Sequence, residues 1–239
     1  MENIDYEVSL YNNLSQSQIL DADPNKKCSL IIPKFSYNPF VLENSNNYSK
    51  YNVKDVLSEF DIEFSDEPVY DNINDCRASF AKKGSHFPIL QYENLTNYKE
   101  MKRNSLQGIY PGLRLDKIKN GEYYFKTTDE FKCNTLLFEI GGKIVSNKFF
   151  EENRSSLIKK KHVYFQFFSG RDFYEYKNIL ILDKGNIAFF IKKGNNYESN
   201  VFLKAFVKEN DLVTLLCISS KDIPRNSFIL SNNIFNYLG

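Results

Sequence analysis

From residue 113 onward the chain is cut into short apolar runs by turn signals, and this punctuation restricts its fold more than any other feature. Asn120-Gly121 stands between two runs, 114–119 and 122–127, and Asn-Gly is the dipeptide that closes a tight β-hairpin. The run 134–140 leads through Gly141-Gly142 into 143–146, which reads as a second turn. Residues 163–168 are aromatic and strand-like. The stretches 179–182 and 187–191 flank Lys184-Gly185-Asn186 and read as another hairpin. The runs 201–207 and 212–219 form a third pair, and 228–230 a last strand.

Before residue 113 the spacing is helical. Val53, Val56, Leu57 and Phe60 share one helix face. So do Val69, Ile73, Cys76 and Phe80, after Pro68, which suits a first helical turn. A third helix over 92–103 turns Leu95, Tyr98 and Met101 inward, and a helix is expected over 148–160. The expectation is an α+β fold with a mixed, mainly antiparallel sheet and flanking helices. Its N-terminal half would be helix-richer and its C-terminal half strand-rich. Residues 1–112 would form an acidic, helix-containing region and 113–239 a strand-rich one, as two parts or one continuous domain.

One internal regularity stands out. Ile144-Val145-Ser146-Asn147-Lys148-Phe149-Phe150 matches Ile229-Leu230-Ser231-Asn232-Asn233-Ile234-Phe235. Ser and Asn oxygens accept bonds from the unpaired N–H groups of a helix start, so each copy reads as a strand entering a capped helix of one sheet.

The 239 residues suffice to bury a core without disulfide or metal staples. The four cysteines, Cys28, Cys76, Cys133 and Cys217, are isolated, and His86 and His162 are the two histidines. No zinc-type spacing exists, so neither structural zinc nor a disulfide is expected. No Gly-x-Ser-x-Gly elbow accompanies Ser85-His86, and no phosphate-binding Gly-rich loop is present. Glu139 and Lys143 superficially suggest the Glu-x-Lys of some nucleases, but the spacing is wrong. The sequence therefore points to no catalytic residues, no metal and no cofactor. No apolar run reaches the ~20 residues of a membrane span. Met1–Asp5 lacks the basic and apolar regions of a signal peptide, so a cytoplasmic protein with no membrane partner is expected.

Charge is uneven. Residues 1–80 carry 14 acids against 6 bases, and the remainder 16 acids against 25 bases. Glu59, Asp61, Glu63, Asp66, Glu67, Asp71 and Asp75 occur with no Lys or Arg between them. A solvated helix face explains such a run, and so does a paired-carboxylate site. As a binding surface, these seven acids would meet a basic protein partner. Basic clusters with aromatics among them, such as Lys159–Lys161 and Lys192-Lys193, leave nucleic acid as an alternative partner.

Lys143–Phe150 before a helix, then His162–Phe168, then Phe173–Leu180, then Asp211-Leu212-Val213 through Ser227–Asn232 form an order of segments. Over about residues 134–239 this order resembles the Imm11 (DUF1629-like) family of bacterial polymorphic-toxin immunity proteins. Asn147 and Asn232 stand where that family has an acid. The resemblance implies a non-enzymatic protein-binding module of immunity or inhibitor type that masks a partner, for instance a basic toxin. A nucleic-acid-associated accessory protein of a phage, virus or mobile element is the alternative.

Overall fold

The structure, a computed structural model, describes residues 31–32, 51–70, 96–118, 120–146, 149, 152–153, 163–168, 176–181, 184–208, 212–232 and 235–236. Asn52 opens helix α1 (Val53–Ser58): its side-chain oxygen accepts a bond from the Lys54 N–H at 3.0 Å. Val53, Val56 and Leu57 are its buried face, while Phe60 lies past the helix end and is 46% exposed. Two short strands follow, β1 (Glu63–Phe64) and β2 (Pro68–Tyr70), and then α2 (Thr96–Leu106). Tyr98 and Met101 of α2 face inward, as the helical spacing predicts, together with Ser105 one turn on.

Strands β3 (Leu113–Lys117) and β4 (Tyr123–Thr127) form the hairpin that Asn120-Gly121 announces. Gly121 takes φ 87°, open to glycine, and Asn120 accepts from the Glu122 N–H at 3.1 Å. Strand β5 (Leu136–Glu139) then pairs with β12 (Val213–Ser219), which pairs with β11 (Val201–Val207), all antiparallel. Strand β6 (Gly142–Ser146) lies in a five-stranded sheet of order β14-β7-β8-β6-β2. There β7 is Val163–Phe168, β8 Tyr176–Ile181 and β14 Phe235–Asn236. Two parallel pairs complete the set: β9 (Lys184–Gly185) with β1, and β10 (Lys192–Lys193) with β13 (Leu230–Ser231). One apolar cluster runs from Val53 to Ile229 and takes in Leu115, Phe125, Phe138 and Phe190. A smaller one packs Tyr98 and Met101 of α2 on Leu136, Phe206, Leu216 and Ile218 of the three-stranded sheet.

The fold is mixed α+β and rich in strands, with few helices, and the helix-richer N-terminal half is not supported. Pro68 starts an edge strand rather than a helix, a place where its missing N–H costs no ladder bond. Ile73, Cys76 and Phe80 lie outside the described residues, as do His86 and His162.

Gly141-Gly142 is not a hairpin turn. The chain passes there from one sheet to another, and a Cβ on Gly141 would stand 1.8 Å from the Ser65 carbonyl oxygen. Two backbones meet where only glycine leaves room. Ile187–Phe190 is a 3-10 turn, not a strand, because Asn186 caps it, accepting from the Ala188 N–H at 3.1 Å.

The two Ser-Asn copies also diverge. The first leaves β6 and reaches helical backbone at Phe149. The second leaves β13, which belongs to another pair, and enters strand β14 beside β7. A partner strand supplies the backbone bonds there that a helix would otherwise make.

Candidate functional site

Four elements bring their charges together inside the protein. Asp66, in the loop between β1 and β2, and Glu139, at the end of β5, have fully buried side chains. Lys102 reaches in from α2 and bridges them: Nζ stands 2.7 Å from Asp66 Oδ2 and 2.9 Å from Glu139 Oε2. Lys208, just past β11, pairs with the other Glu139 oxygen at 2.7 Å. Two carboxylates thus face two ammonium groups, and the buried charges balance.

The remaining lone pairs are also satisfied. Asp66 accepts from Ser105 Oγ at 2.5 Å and from the Tyr110 hydroxyl at 3.1 Å. Glu139 accepts from Thr214 Oγ1 and, at 3.5 Å, from the Tyr98 hydroxyl. Asn186 Nδ2 donates to the Glu139 carbonyl at 2.7 Å. Satisfaction of this kind is what makes a buried ionic group tolerable.

Burial and charge pull these groups in different directions. Burial drives the Asp66 carboxyl above its ordinary range, further than Lys102 and Ser105 draw it down. Burial also acts on Glu139, but Lys102 and Lys208 outweigh it and hold that carboxyl below the ordinary range. Burial would deprotonate Lys102, yet Glu139 and Asp66 overcome it and hold the ammonium well above its ordinary value. Tyr110 is pushed up by burial and by the Asp66 charge, so it stays a neutral donor.

The two carboxylates have no exposed surface, while Lys102 and Lys208 keep 13% and 14% of their side chains exposed. Asn186 ties the network to a neighbouring turn. The residue bonded to Glu139 is also the cap of the 3-10 turn, and that turn carries Phe189 and Phe190. Their rings lie 5.1 Å apart and build a corner with Phe60 and Tyr123. Phe60 stands 5.1 Å from Phe189 and 6.3 Å from Tyr123, Tyr123 stands 5.9 Å from Phe190, and Tyr51 meets Tyr123 edge-on at 5.6 Å. The Tyr123 hydroxyl donates to Glu59 at 2.9 Å. Lys117 Nζ lies over the Tyr123 ring, 4.7 Å from its centroid, and donates to the same hydroxyl at 3.2 Å. A carboxylate, a phenol and an ammonium therefore meet at the edge of the core, where Tyr123 is buried and Phe60 is exposed.

The seven acids singled out from sequence do not share one face. Glu59 and Asp61 are exposed beside the aromatic corner, with Asp61 at φ 57°. Glu63 is exposed and pairs with Lys184 at 3.1 Å. Glu67 is exposed, 3.6 Å from Lys102. Asp66 is in the buried network, and Asp71 and Asp75 lie outside the described residues. Sequence reasoning missed Lys102, Asn186, Tyr123 and Phe189, and set Glu139 aside. The one signal for Glu139 was a charge set in an apolar strand, Leu136-Leu137-Phe138-Glu139-Ile140.

No family model matches the chain, and no curated protein matches it. Solved structures do. The chain is similar to ATXR5 in complex with histone H3.1 mono-methylated on an arginine, at a TM-score of 0.57 and 16% identity, covering 81% of this chain and 93% of that one. It is equally similar to the ATXR5 SET domain in complex with histone H3 di-methylated on an arginine, at a TM-score of 0.58 and 16% identity, covering 81% of this chain and 92% of that one. The chain shares the fold of a SET domain. That likeness corrects the expectation of a non-enzymatic immunity or inhibitor module. The neighbours are SET-domain structures bound to histone H3, and the nucleic-acid alternative gains nothing from them. Short motifs misled because a strand, a Ser-Asn step and another element recur in many α+β folds. Among the described residues no helix is long and apolar enough to cross a membrane.

Proposed function

We propose that the chain is a protein methyltransferase that acts on a basic tail. The observation that carries this reading is the likeness to the ATXR5 SET domain across 81% of the chain, extending over 92% of that domain. A fold hosts more than one function, so the reading stands on its test.

In such a reaction a neutral amine or guanidine nitrogen attacks the methyl carbon of a sulfonium donor, which is the second substrate. The new N–C bond forms as the S–C bond breaks, and its electron pair returns to sulfur. The nitrogen then sheds a proton, and a neutral thioether leaves. This chain's contribution would begin with capture. Glu59 and Asp61 are exposed and would attract a positively charged tail by long-range steering, strongest at low salt. The buried network would act at one remove, holding Asn186 and with it the turn that presents Phe189 and Phe190.

The test is transfer of tritium from methyl-labelled S-adenosylmethionine to histone H3 and to a panel of basic peptides. Incorporation that depends on the protein, and falls when Asp61→Lys reverses one exposed acid, supports the reading. Absence of incorporation into every acceptor, by folded protein with donor in excess, rejects it.

A further inference from the structure

We propose that the chain docks on further copies of itself, head to tail, through two exposed phenylalanines in oppositely charged settings. Phe228, flanked by Lys126 and Lys192, would seat on the next copy where Phe60 stands between Glu59 and Asp61. The association needs neither a methyl donor nor an acceptor, so it stands apart from the transfer reading.

The basic surface is the outer face of the β3–β4 hairpin and of the segment beside it. Along β4, Tyr124 and Lys126 point away from the core, while Tyr123, Phe125 and Thr127 point into it. Lys126 stands across an antiparallel bridge from Phe228, with its Nζ 4.5 Å from that ring centroid. The Tyr124 and Phe228 rings lie 5.2 Å apart, and Lys192 of β10 reaches over Tyr124 at 5.2 Å. Phe228 is 40% exposed. Glu122 offsets part of the charge, 3.9 Å from Lys192, whereas among the described residues no carboxylate pairs with Lys126.

The acidic surface lies on the other side of the hairpin. Glu59, Phe60 and Asp61 are consecutive and exposed, Phe60 at 46%. Glu59 accepts from the inward-pointing Tyr123 at 2.9 Å, and Lys117 on the same hydroxyl offsets part of the charge. Each surface therefore joins one exposed phenylalanine to an excess of one sign, and the signs are opposite. Those charges would steer the copies together, and burial of the two rings would hold them. Tyr123 and Tyr124 are neighbours on one strand, so the two surfaces face opposite ways. A copy that docks through Phe228 keeps its own Phe60 surface free. The contact is heterologous, and adds copies in a row rather than closing a two-fold dimer.

The experiment is sedimentation velocity of the full chain over a concentration series, with no donor or acceptor present. The wild type should form dimers and larger species at ~0.01 M salt and lose them at ~0.15 M, as the screening length falls from ~30 to ~8 Å. Lys126→Glu with Lys192→Glu should weaken association by about tenfold, and so should Glu59→Lys with Asp61→Asn. Asparagine accepts the φ of 57° at Asp61, so that change adds no backbone strain. Mixing the two variants should restore association, because each then offers a matching surface to the other. That recovery shows both variants to be folded, and separates charge complementarity from damage. A wild type that stays monomeric at low salt, association that salt and both variants leave unchanged, or a mixture no more associated than its parts would each overturn the proposal. Binding of an acidic peptide by a monomeric wild type, lost in Lys126→Glu with Lys192→Glu, would also overturn it and give the basic surface to a foreign partner. With no donor or acceptor present, such a failure leaves the methyl-transfer reading intact.

Discussion

Two lysines, Lys102 and Lys117, each contact a phenol or a carboxylate, yet they answer to different physics. Lys102 keeps 13% of its side chain exposed and stands between two carboxylates with no exposed surface. Lys117 is exposed and rests on one ring and one hydroxyl. At the first, removing the charge strands others in a low-dielectric interior. At the second, water takes over whatever is removed. Structural commitment tracks the solvent around the partners, not the number of contacts drawn.

The sharpest way to break the comparison is Lys102→Met. It leaves Asp66 buried with no cation and Glu139 with Lys208 alone, and should cost ~3–5 kcal/mol in urea unfolding. A loss below ~1 kcal/mol would mean that water enters the network, and that the two lysines are not so different. Gly141→Ala should follow, costing ~1–3 kcal/mol, because its Cβ would meet the Ser65 carbonyl at 1.8 Å and one backbone must move. Ser65 immediately precedes Asp66, so the same shift should loosen the network.

How much of this was readable in the sequence follows the range of each interaction. The β3–β4 hairpin was legible because Asn120-Gly121 specifies its turn locally, and the inward face of α2 because its period is local too. The β11–β12 pair was legible for the same reason, with five residues to turn in. The network was not, since Asp66 and Lys102 lie 36 residues apart and nothing in either neighbourhood requires a partner. Gly141-Gly142 was misread because a glycine pair that permits a turn looks the same as one that permits close approach. The helical start expected after Pro68 is a strand over Pro68–Tyr70, because Pro68 fits a first helical turn and an edge strand equally well. The aromatic corner needed Glu59, Tyr123 and Phe189 to meet from three separate elements.

A pH titration sharpens the contrast more gently. Lys102 is held above its ordinary value of 10.5, so the folded state keeps a proton that the unfolded chain gives up. Its contribution is complete below 10.5 and is lost as pH rises through the raised value. Glu139 is held below its ordinary 4.5, so its contribution is complete above 4.5 and is lost as pH falls. Asp66 opposes Glu139 in acid, because its carboxyl is held above its ordinary 3.8 and favours the protonated folded form. The alkaline limb is therefore the cleaner one. Unfolding midpoints should fall beyond 10.5 in the wild type, and the part of that fall due to Lys102 should vanish in Lys102→Met. An identical alkaline decline in both proteins would show that Lys102 does not control it.

The smallest expected effect is the most discriminating. Lys117 is also held above its ordinary value, chiefly by its bond to Tyr123, but it lies fully in solvent. Water screens that interaction and hydrates the ammonium when it swings away. Lys117→Ala should therefore leave the urea midpoint unchanged at neutral pH, where Lys102→Met shifts it most. The Tyr123 hydroxyl keeps Glu59 as a partner after the change, at 2.9 Å, so no buried donor is orphaned. A large loss of stability in Lys117→Ala would place this lysine among the elements that hold the fold.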